Sequence, residues 1–128
     1  MMTNSVNSEQ CLIGCILLDG EAMYKVYNKI KPDMFLFSLL GECYSEMLAM
    51  YDSGEKIDFV TLANRLENHE RSKEYVAEQL SNCVSAVQSS VFIDNYAATL
   101  LKEYRSRQAK DVFSRLDLSP NEVDRSIG

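Results

Sequence analysis

Residues 90–116 contain neither proline nor glycine, yet their apolar side chains form two sets that face nearly opposite directions. As one helix, these 27 residues would span roughly 40 Å at about 1.5 Å per residue. At about 100° per residue, one face comprises Phe92, Ile93, Tyr96, Ala97, Leu100, Leu101 and Tyr104. The second face comprises Ala109, Val112, Phe113 and Leu116. Because a helix that packs once on its own core keeps a single stripe, we expect either a break near residues 105–108 or a far end that packs on something else.

The residues after this segment predict the start of another helix. Ser119 occupies an N-cap position, Pro120 the first helical position and Glu122 the third, a pattern that favours helix initiation. This helix would run out at Gly128, and an isolated helix of that length is marginally stable. We therefore expect that the chain stops inside a helix, as a truncated protein would. The intact product would then carry a helical hairpin that projects from a small globular body.

The rest of the chain predicts an all-α fold, with a compact bundle of about five short helices before the long one. No segment alternates polar and apolar residues with the period of two that strands require. Apolar residues recur instead at helical spacing, with short connections between the periodic segments. Asn7 with Gln10 resembles a capping box at the start of the first helix. The predicted helices cover approximately residues 7–18, 21–30, 38–53, 58–66 and 72–80.

Length and composition fit one ordinary globular domain. The chain has 128 residues, enough for a single core, with 46% hydrophobic and 25% charged residues. Within this domain we expect a globular helical body over residues 1–89. The long helix, with the start of the hairpin or linker helix, would occupy residues 90–128.

The charge of the chain restricts its partners. A net charge of −6 argues against a direct grip on a phosphate backbone, because such contacts need clustered Lys and Arg. Proteins and small molecules are therefore the expected direct partners. The longest apolar runs fall well short of the roughly 20 residues that span a bilayer, and the N-terminus lacks the basic region of a secretory signal. We expect a cytoplasmic protein without a membrane contact.

Four cysteines and one histidine are the natural candidates for a metal or nucleophilic site. Cys11 and Cys15 lie one helical turn apart, but Cys43 and Cys83 are distant in the sequence, and no CxxC or HExxH spacing occurs. In a cytosolic protein, such cysteines are expected to be reduced and buried. His69 lies in a polar run that predicts an exposed loop. We therefore expect no catalytic site, no cofactor site and no metal site in this chain.

Several segments of the chain share motifs with one known family. They are Ser8–Asp19 (EAEQ-x-x-LG-x-x-LLD in the family), Pro32–Phe35 and Tyr44–Met47 (pedF and iy-x-x-M), Gly54–Leu62 (G-x-piD-x-vTl), and Asn95–Ala97 with Lys102, Glu103 and Arg107 (n-x-x-Ya-x-iv-x-e followed by r). They occur in the family's order and at nearly its spacing, over about residues 8–108. In these motifs the chain resembles the N-terminal domain of DnaB-type replicative DNA helicases.

Two departures from the family pattern indicate a divergent member, such as one encoded by a phage or mobile element. Leu40-Gly41 stands where the family usually has His-Arg. Ser72-Lys73-Glu74 stands in a shortened connection where the family commonly has Gly-Gly. Partner contacts that depend on those positions are not carried over to this chain.

The motif residues also have an architectural interpretation. Glu9 would lie at the start of a helix, where a negative side chain meets the positive end of the dipole. Gly14 would let two helices approach closely. Gly54 would stop the third helix, and Asp58 and Ser72 would cap the fourth and fifth.

The resemblance implies a role in assembly. In this family, the domain forms dimers through its helical hairpin, and three dimers build the collar of a hexameric ring. The collar faces the helicase-binding domain of primase and influences loading and priming. ATP and Mg²⁺ belong to a motor in a separate C-terminal domain, which requires a G-x-x-x-x-G-K-[ST] loop. This sequence contains no such loop, so we expect a non-catalytic domain that reaches DNA only through the intact helicase.

The second apolar face of residues 90–116 is the candidate assembly surface. We expect Ala109, Val112, Phe113 and Leu116 to pack on the hairpin's other helix and on a neighbouring subunit. The alternative is a free-standing helical adaptor that binds a helicase or primase without belonging to one. A third interpretation, a small thiol or metal enzyme, predicts a bound metal or an unusually reactive cysteine.

Overall fold

The computed structural model describes the backbone of residues 4–127 and the side chains of residues 7–116. The α-helices, in chain order, are α1 (Asn4–Leu18), α2 (Ser38–Asp52), α3 (Phe59–Leu66), α4 (Lys73–Ser85) and α5 (Ile93–Ile127). Two short 3-10 helices, Gly20–Lys25 and Pro32–Met34, connect α1 to α2. Residues 4–127 contain no strand, and the pairing of Asn68 with Arg71 is an isolated bridge. The prediction of an all-α fold is confirmed.

Helix α1 packs most extensively against α4 and α5, and less extensively against α2. A helix that is apolar on nearly every side belongs in an interior, and α1 has a continuous buried set: Cys11, Leu12, Ile13, Cys15 and Ile16. At Gly14, α1 and α4 come so close that an added Cβ atom would lie 2.1 Å from the carbonyl oxygen of Cys83. The prediction that Gly14 lets two helices approach closely is therefore confirmed.

The start of α1 differs from the prediction. The helix begins at Asn4, about one turn before the expected cap, so Asn7 lies inside it and is exposed. Glu9 lies beyond the first turn, where the effect of the helix dipole has fallen off. The Asn7–Gln10 capping box and the dipole interpretation of Glu9 are therefore wrong. A capping side chain contributes only about 1 kcal/mol, which a further turn of helix can outweigh.

The expected helix over residues 21–30 is a 3-10 helix, Gly20–Lys25, followed by turns. The side chain of Asp19 accepts a hydrogen bond from the backbone N–H of Glu21 at 3.2 Å. Such a local side-chain bond competes with regular helix and favours a tight start. The predicted apolar stripe is nevertheless buried at all but one position: Met23, Val26 and Ile30 are buried, and Tyr27 is exposed.

A buried tyrosine fixes this connection on α2. The hydroxyl of Tyr44 donates to the carbonyl oxygen of Ile30 at 2.8 Å and lies 3.3 Å from that of Val26. Its ring packs on Phe35, with 5.2 Å between the ring centroids. Because buried carbonyls need a hydrogen-bond partner, this hydroxyl satisfies the carbonyl of Ile30 at the end of the turns that follow the 3-10 helix.

The ends of the middle helices follow the sequence signals. Gly54, the second residue after α2, has a φ of +76°, a conformation that glycine adopts without steric cost. The carboxylate of Asp58 accepts from the N–H of Thr61 at 2.9 Å and caps α3. The hydroxyl of Ser72 accepts from the N–H of Tyr75 at 3.0 Å and caps α4. These three predictions are confirmed.

Helix α5 continues through both places where the sequence predicts a change. It has no break at residues 105–108, and it runs past Ser119 and Pro120 to Ile127. The backbone therefore shows no separate helix starting at Ser119, and the side chains of the proposed capping box lie outside the described residues. Proline fixes φ at a value that a helix also uses, so a helix can pass through it at the loss of a hydrogen bond. The hairpin stays a prediction, because only its first helix is described.

Candidate assembly surface

The first part of α5 belongs to the core. Ile93, Ala97 and Leu100 are buried against the body, and Leu101 packs partly against the same cluster. Arg107 is the last residue of α5 with a described side chain that is not exposed. Residues 108–116, here called the arm, are exposed at every position. The helix therefore leaves the body at Arg107, which explains why its apolar pattern changes side there.

The predicted second face lies on the arm and is open to solvent. The exposed fraction is 49% for Val112, 71% for Phe113 and 50% for Leu116. Together with Ala109, these side chains line one shallow hollow, here called the apolar patch. Their spacing of i, i+3, i+4 and i+7 is typical of helix–helix packing. The structure thus brings the four predicted residues together and leaves them uncovered in the single chain.

The polar side of the arm is satisfied within the helix itself. Asp111 and Arg115 form an ion pair one turn apart, with 2.7 Å between Oδ2 and Nη2. By contrast, no described residue covers the side chains of the apolar patch. Burial of a Val, Leu or Phe side chain contributes about 1.5–3 kcal/mol. Covering the patch would therefore contribute several kcal/mol to an assembly.

Glu9 is buried where the body meets the base of the arm. Its side-chain oxygens accept hydrogen bonds from the backbone N–H groups of Leu36, at 2.6 Å, and Phe37, at 3.0 Å. Burial raises the pKa of the Glu9 carboxyl above its usual value of 4.5, against the lowering effect of these bonds and of the positive charge of Arg107. The negative charge of Glu103 contributes to the rise in pKa. Two residues of α5 thus face this carboxylate.

Arg107 contacts the same loop from α5. Its guanidinium Nη2 donates to the carbonyl oxygen of Met34 at 2.8 Å. The guanidinium carbon lies 6.0 Å from the centroid of the Tyr104 ring. Nearby, the hydroxyl of Ser8 donates to the carboxylate of Glu103 at 3.3 Å. Charged and polar groups of α1 and α5 therefore surround the residues that precede α2.

The cysteines are packing residues rather than reactive groups. All four are free and buried, as predicted. Burial raises the pKa of Cys15 to about 11 and that of Cys83 to about 12, which suppresses the nucleophilic thiolate. His69 is exposed in the turn between α3 and α4, also as predicted. Among the residues whose side chains are described, no three His, Cys, Asp or Glu side chains are grouped to hold a metal ion.

The sequence matches a known family over most of its length. Residues 1–102 match the model of the DnaB-like helicase N terminal domain. The chain belongs to this family. The match covers the body, including Glu9, but ends before Arg107 and the arm. The prediction of the family is confirmed. The family match does not include the arm, so the role proposed for the arm rests on the structure.

Relatives of this DnaB-like domain are bacterial replicative helicases. The chain is 27% identical over 105 residues to the Replicative DNA helicase DnaB of Synechocystis sp., covering 81% of the chain and 12% of the relative. It is 26% identical over 135 residues to the Replicative DNA helicase DnaB of Geobacillus stearothermophilus, covering 96% of the chain and 30% of the relative. The chain therefore spans less than a third of the length of either relative.

A solved structure shows the same fold. The crystal structure of the N-terminal domain of DnaB helicase from Mycobacterium tuberculosis superposes with a TM-score of 0.77 at 24% identity. The superposition covers 86% of this chain and 79% of the other. At this identity the likeness supports the fold of the DnaB-like domain and not a particular contact. No helix among the residues described here is both long and apolar enough to cross a bilayer.

The contacts of Glu9 in this DnaB-like domain could not be predicted from the sequence. Glu9 lies within the family match and Arg107 lies beyond its end, and 98 residues separate them. A motif gives the identity of a residue and its local helix position. It does not give the partner across the fold, so the loop that both residues contact had no sequence signal.

Proposed function

We propose that this chain is the non-catalytic N-terminal collar domain of a hexameric replicative DNA helicase, and that it joins subunits through the apolar patch. Membership in the DnaB-like family and the names of the relatives support the helicase. The exposed side chains of Val112, Phe113 and Leu116 support the role in assembly, and this is the observation that carries the proposal. Helicase activity, with its ATP and Mg²⁺, is assigned to a motor domain outside these residues.

We propose that helices cover the patch and that one of them belongs to a second copy of the chain. Isologous contacts between identical surfaces are the commonest way to form a dimer. The patch suits such a contact because its apolar residues share one helix face, while the Asp111–Arg115 pair lies on the polar side. The second helix of the hairpin would complete the packing within each subunit.

Primase is the proposed partner of the assembled collar. The family resemblance supports its helicase-binding domain as the contacting part. A net charge of −6 favours a protein partner over direct contact with DNA. We assign DNA contact to the intact helicase and the place of action to the cytoplasm.

The test compares two double variants of the intact protein. In the patch variant, Val112→Ser and Phe113→Ser remove two exposed apolar side chains from the arm. In the control variant, Val60→Ser and Phe92→Ser remove the same residue types from exposed positions on the body, where Val60 is 61% and Phe92 55% exposed. The particle mass of each variant is measured by light scattering over a range of protein concentrations.

We expect the patch variant to dissociate at concentrations where the parent protein and the control variant remain assembled. A loss of about 3 kcal/mol or more, from two side chains no longer buried, corresponds to at least a hundredfold weaker association. If the patch variant keeps the parent mass throughout, the patch is not the assembly surface. Equal dissociation of both variants would also contradict the proposal.

The adaptor alternative is tested by the coding sequence downstream of Gly128. A reading frame that continues into G-x-x-x-x-G-K-[ST] supports a collar joined to its motor, because this loop binds the nucleotide phosphates. A stop codon at that point would contradict the collar and leave a separate protein that binds a helicase or primase.

A further inference from the structure

We infer that Glu9 and Arg107 are positioning residues that together fix the direction in which the arm leaves the body. With the loop that both contact, residues 34–37, they are here called the clamp. The proposed function concerns what the apolar patch binds, whereas this inference concerns where the patch is held. Its consequence for assembly rests on the proposed function, but its geometry does not.

The clamp holds one short loop from two helices. From α1, the carboxylate of Glu9 accepts from the N–H groups of Leu36 and Phe37. From α5, the guanidinium of Arg107 donates to the carbonyl oxygen of Met34. The loop leads directly into α2. One four-residue segment therefore fixes α1, α2 and α5 relative to each other through its backbone groups.

Arg107 makes its bond to the loop at the base of the arm. Residues 108–116 are all exposed, so Arg107 is the last residue with a described side chain through which α5 contacts the body. Leu116 lies nine residues further on, about 13 Å along a helix. A tilt of about 10° at the clamp would therefore displace the apolar patch by about 2 Å at Leu116. Side chains at a helix–helix contact interdigitate closely, so such a displacement would misalign the patch.

The charges around Glu9 make the two residues interdependent. Glu103 also faces Glu9 and is held by the hydroxyl of Ser8, so two carboxylates share this region with the guanidinium of Arg107. Removal of the positive charge would leave the carboxylates to repel each other beside the loop. Neutralising Glu9 at the same time would relieve part of that repulsion. The effects of the two substitutions are therefore expected to be non-additive.

The experiment measures the arm's direction by pulsed electron–electron spin resonance. Spin labels are attached at Lys73→Cys, exposed on α4, and at Lys110→Cys, exposed on the arm. The four native thiols are buried and take no label in the folded protein. The labelled chain is diluted into about a tenfold excess of unlabelled chain, so that distances within one copy dominate. The clamp variants are Glu9→Gln, Arg107→Met and the double variant.

A matched control is Arg105→Met, which removes an exposed arginine two residues before the clamp arginine. We expect a single narrow distance distribution in the parent and in the Arg105→Met variant. In Arg107→Met the distribution should be at least twice as wide or centred at a different distance, and the double variant should recover part of the change. Amide hydrogen exchange at Leu36 and Phe37 should become faster in Glu9→Gln, because these N–H groups lose the carboxylate.

Unchanged distributions in folded clamp variants, with circular dichroism as the check on folding, would overturn the inference. So would an equal broadening in Arg105→Met. If Glu9→Gln does not fold, the Arg107→Met variant alone tests the inference. Arg107 is only partly buried, so its substitution should leave the fold intact. The proposed function can fail independently of the clamp. If the distance distribution broadens in Arg107→Met but the patch variant, Val112→Ser with Phe113→Ser, assembles normally, the assembly surface is rejected and the clamp is retained.

Discussion

The carbonyl oxygen of Cys83 in α4 faces Gly14 of α1 so closely that no side chain fits between the two helices. The obstacle is backbone, which cannot rotate away as the end of a flexible side chain can. The γ2 methyl group of Val87 would also lie only 3.0 Å from an added Cβ atom. The contact between α1 and α4 thus depends on the absence of a single methyl group.

Gly14→Ala is expected to lower the free energy of unfolding by about 1–2 kcal/mol. Overpacking of a core costs about 1–3 kcal/mol, occasionally more, and a separation of 2.1 Å lies far inside van der Waals contact. The better helix propensity of alanine returns only about 1 kcal/mol. Urea denaturation measures the change. Ser81→Ala, at an exposed position of α4, is the control and should stay within about 0.5 kcal/mol of the parent.

Tyr44→Phe is expected to destabilise the fold by about 1–2 kcal/mol, because a buried carbonyl loses its donor. The hydroxyl reaches the carbonyl oxygen of Ile30 at 2.8 Å, and burial raises the pKa of the Tyr44 phenol. Tyr24→Phe removes a hydroxyl from a side chain that is 58% exposed and serves as the control. Equal stabilities of the two variants in thermal denaturation would show that the Tyr44 bond has no net effect.

The free energy of unfolding should depend on pH through the carboxyl group of Glu9. Burial raises the pKa of its carboxyl above 4.5, so the folded chain binds this proton more tightly than the unfolded chain. The stabilisation is fully present below the unfolded pKa and is lost as the pH rises through the folded pKa. The free energy of unfolding of the parent, relative to Glu9→Gln, should therefore fall as the pH rises from the unfolded pKa through the higher folded pKa.

The carboxyl group of Asp58 should give the opposite pH dependence of stability in the same measurement. Hydrogen bonds from the N–H and hydroxyl of Thr61 lower the pKa of the Asp58 carboxyl. Its contribution to stability is present above the unfolded pKa and is lost as the pH falls through the folded pKa. The parent's stability relative to Asp58→Asn should therefore rise with pH. Slopes of the same sign for the two variants would contradict the assignment of one of the two shifts.

The features that the sequence predicted well are those determined by nearby residues. The cap of α3 joins Asp58 to Thr61, and the cap of α4 joins Ser72 to Tyr75, each over three residues. The stop after α2 needs only the glycine at position 54. The shared face of the four patch residues was predicted in the same way, because their spacing is a property of one helix, whereas their role in assembly stays a prediction.

The features that were missed depend on contacts between distant parts of the chain. The hydroxyl of Tyr44 lies 14 residues from the Ile30 carbonyl that it binds. The carboxylate of Glu9 binds N–H groups 27 and 28 residues away. Helical periodicity places each of these side chains on a face of its own helix. It carries no information about which backbone groups of another element will lack a partner.

Because α5 contributes both to the core and to the apolar patch, the association proposed for the patch would be thermodynamically linked to folding. The buried side chains of Ile93, Ala97 and Leu100 hold in place the helix that carries the patch. An unfolded body would present no ordered patch, so a partner that binds the arm binds only the folded state. Mass action then makes the melting temperature rise with protein concentration. A destabilising change deep in α1 would weaken assembly without touching the contact itself.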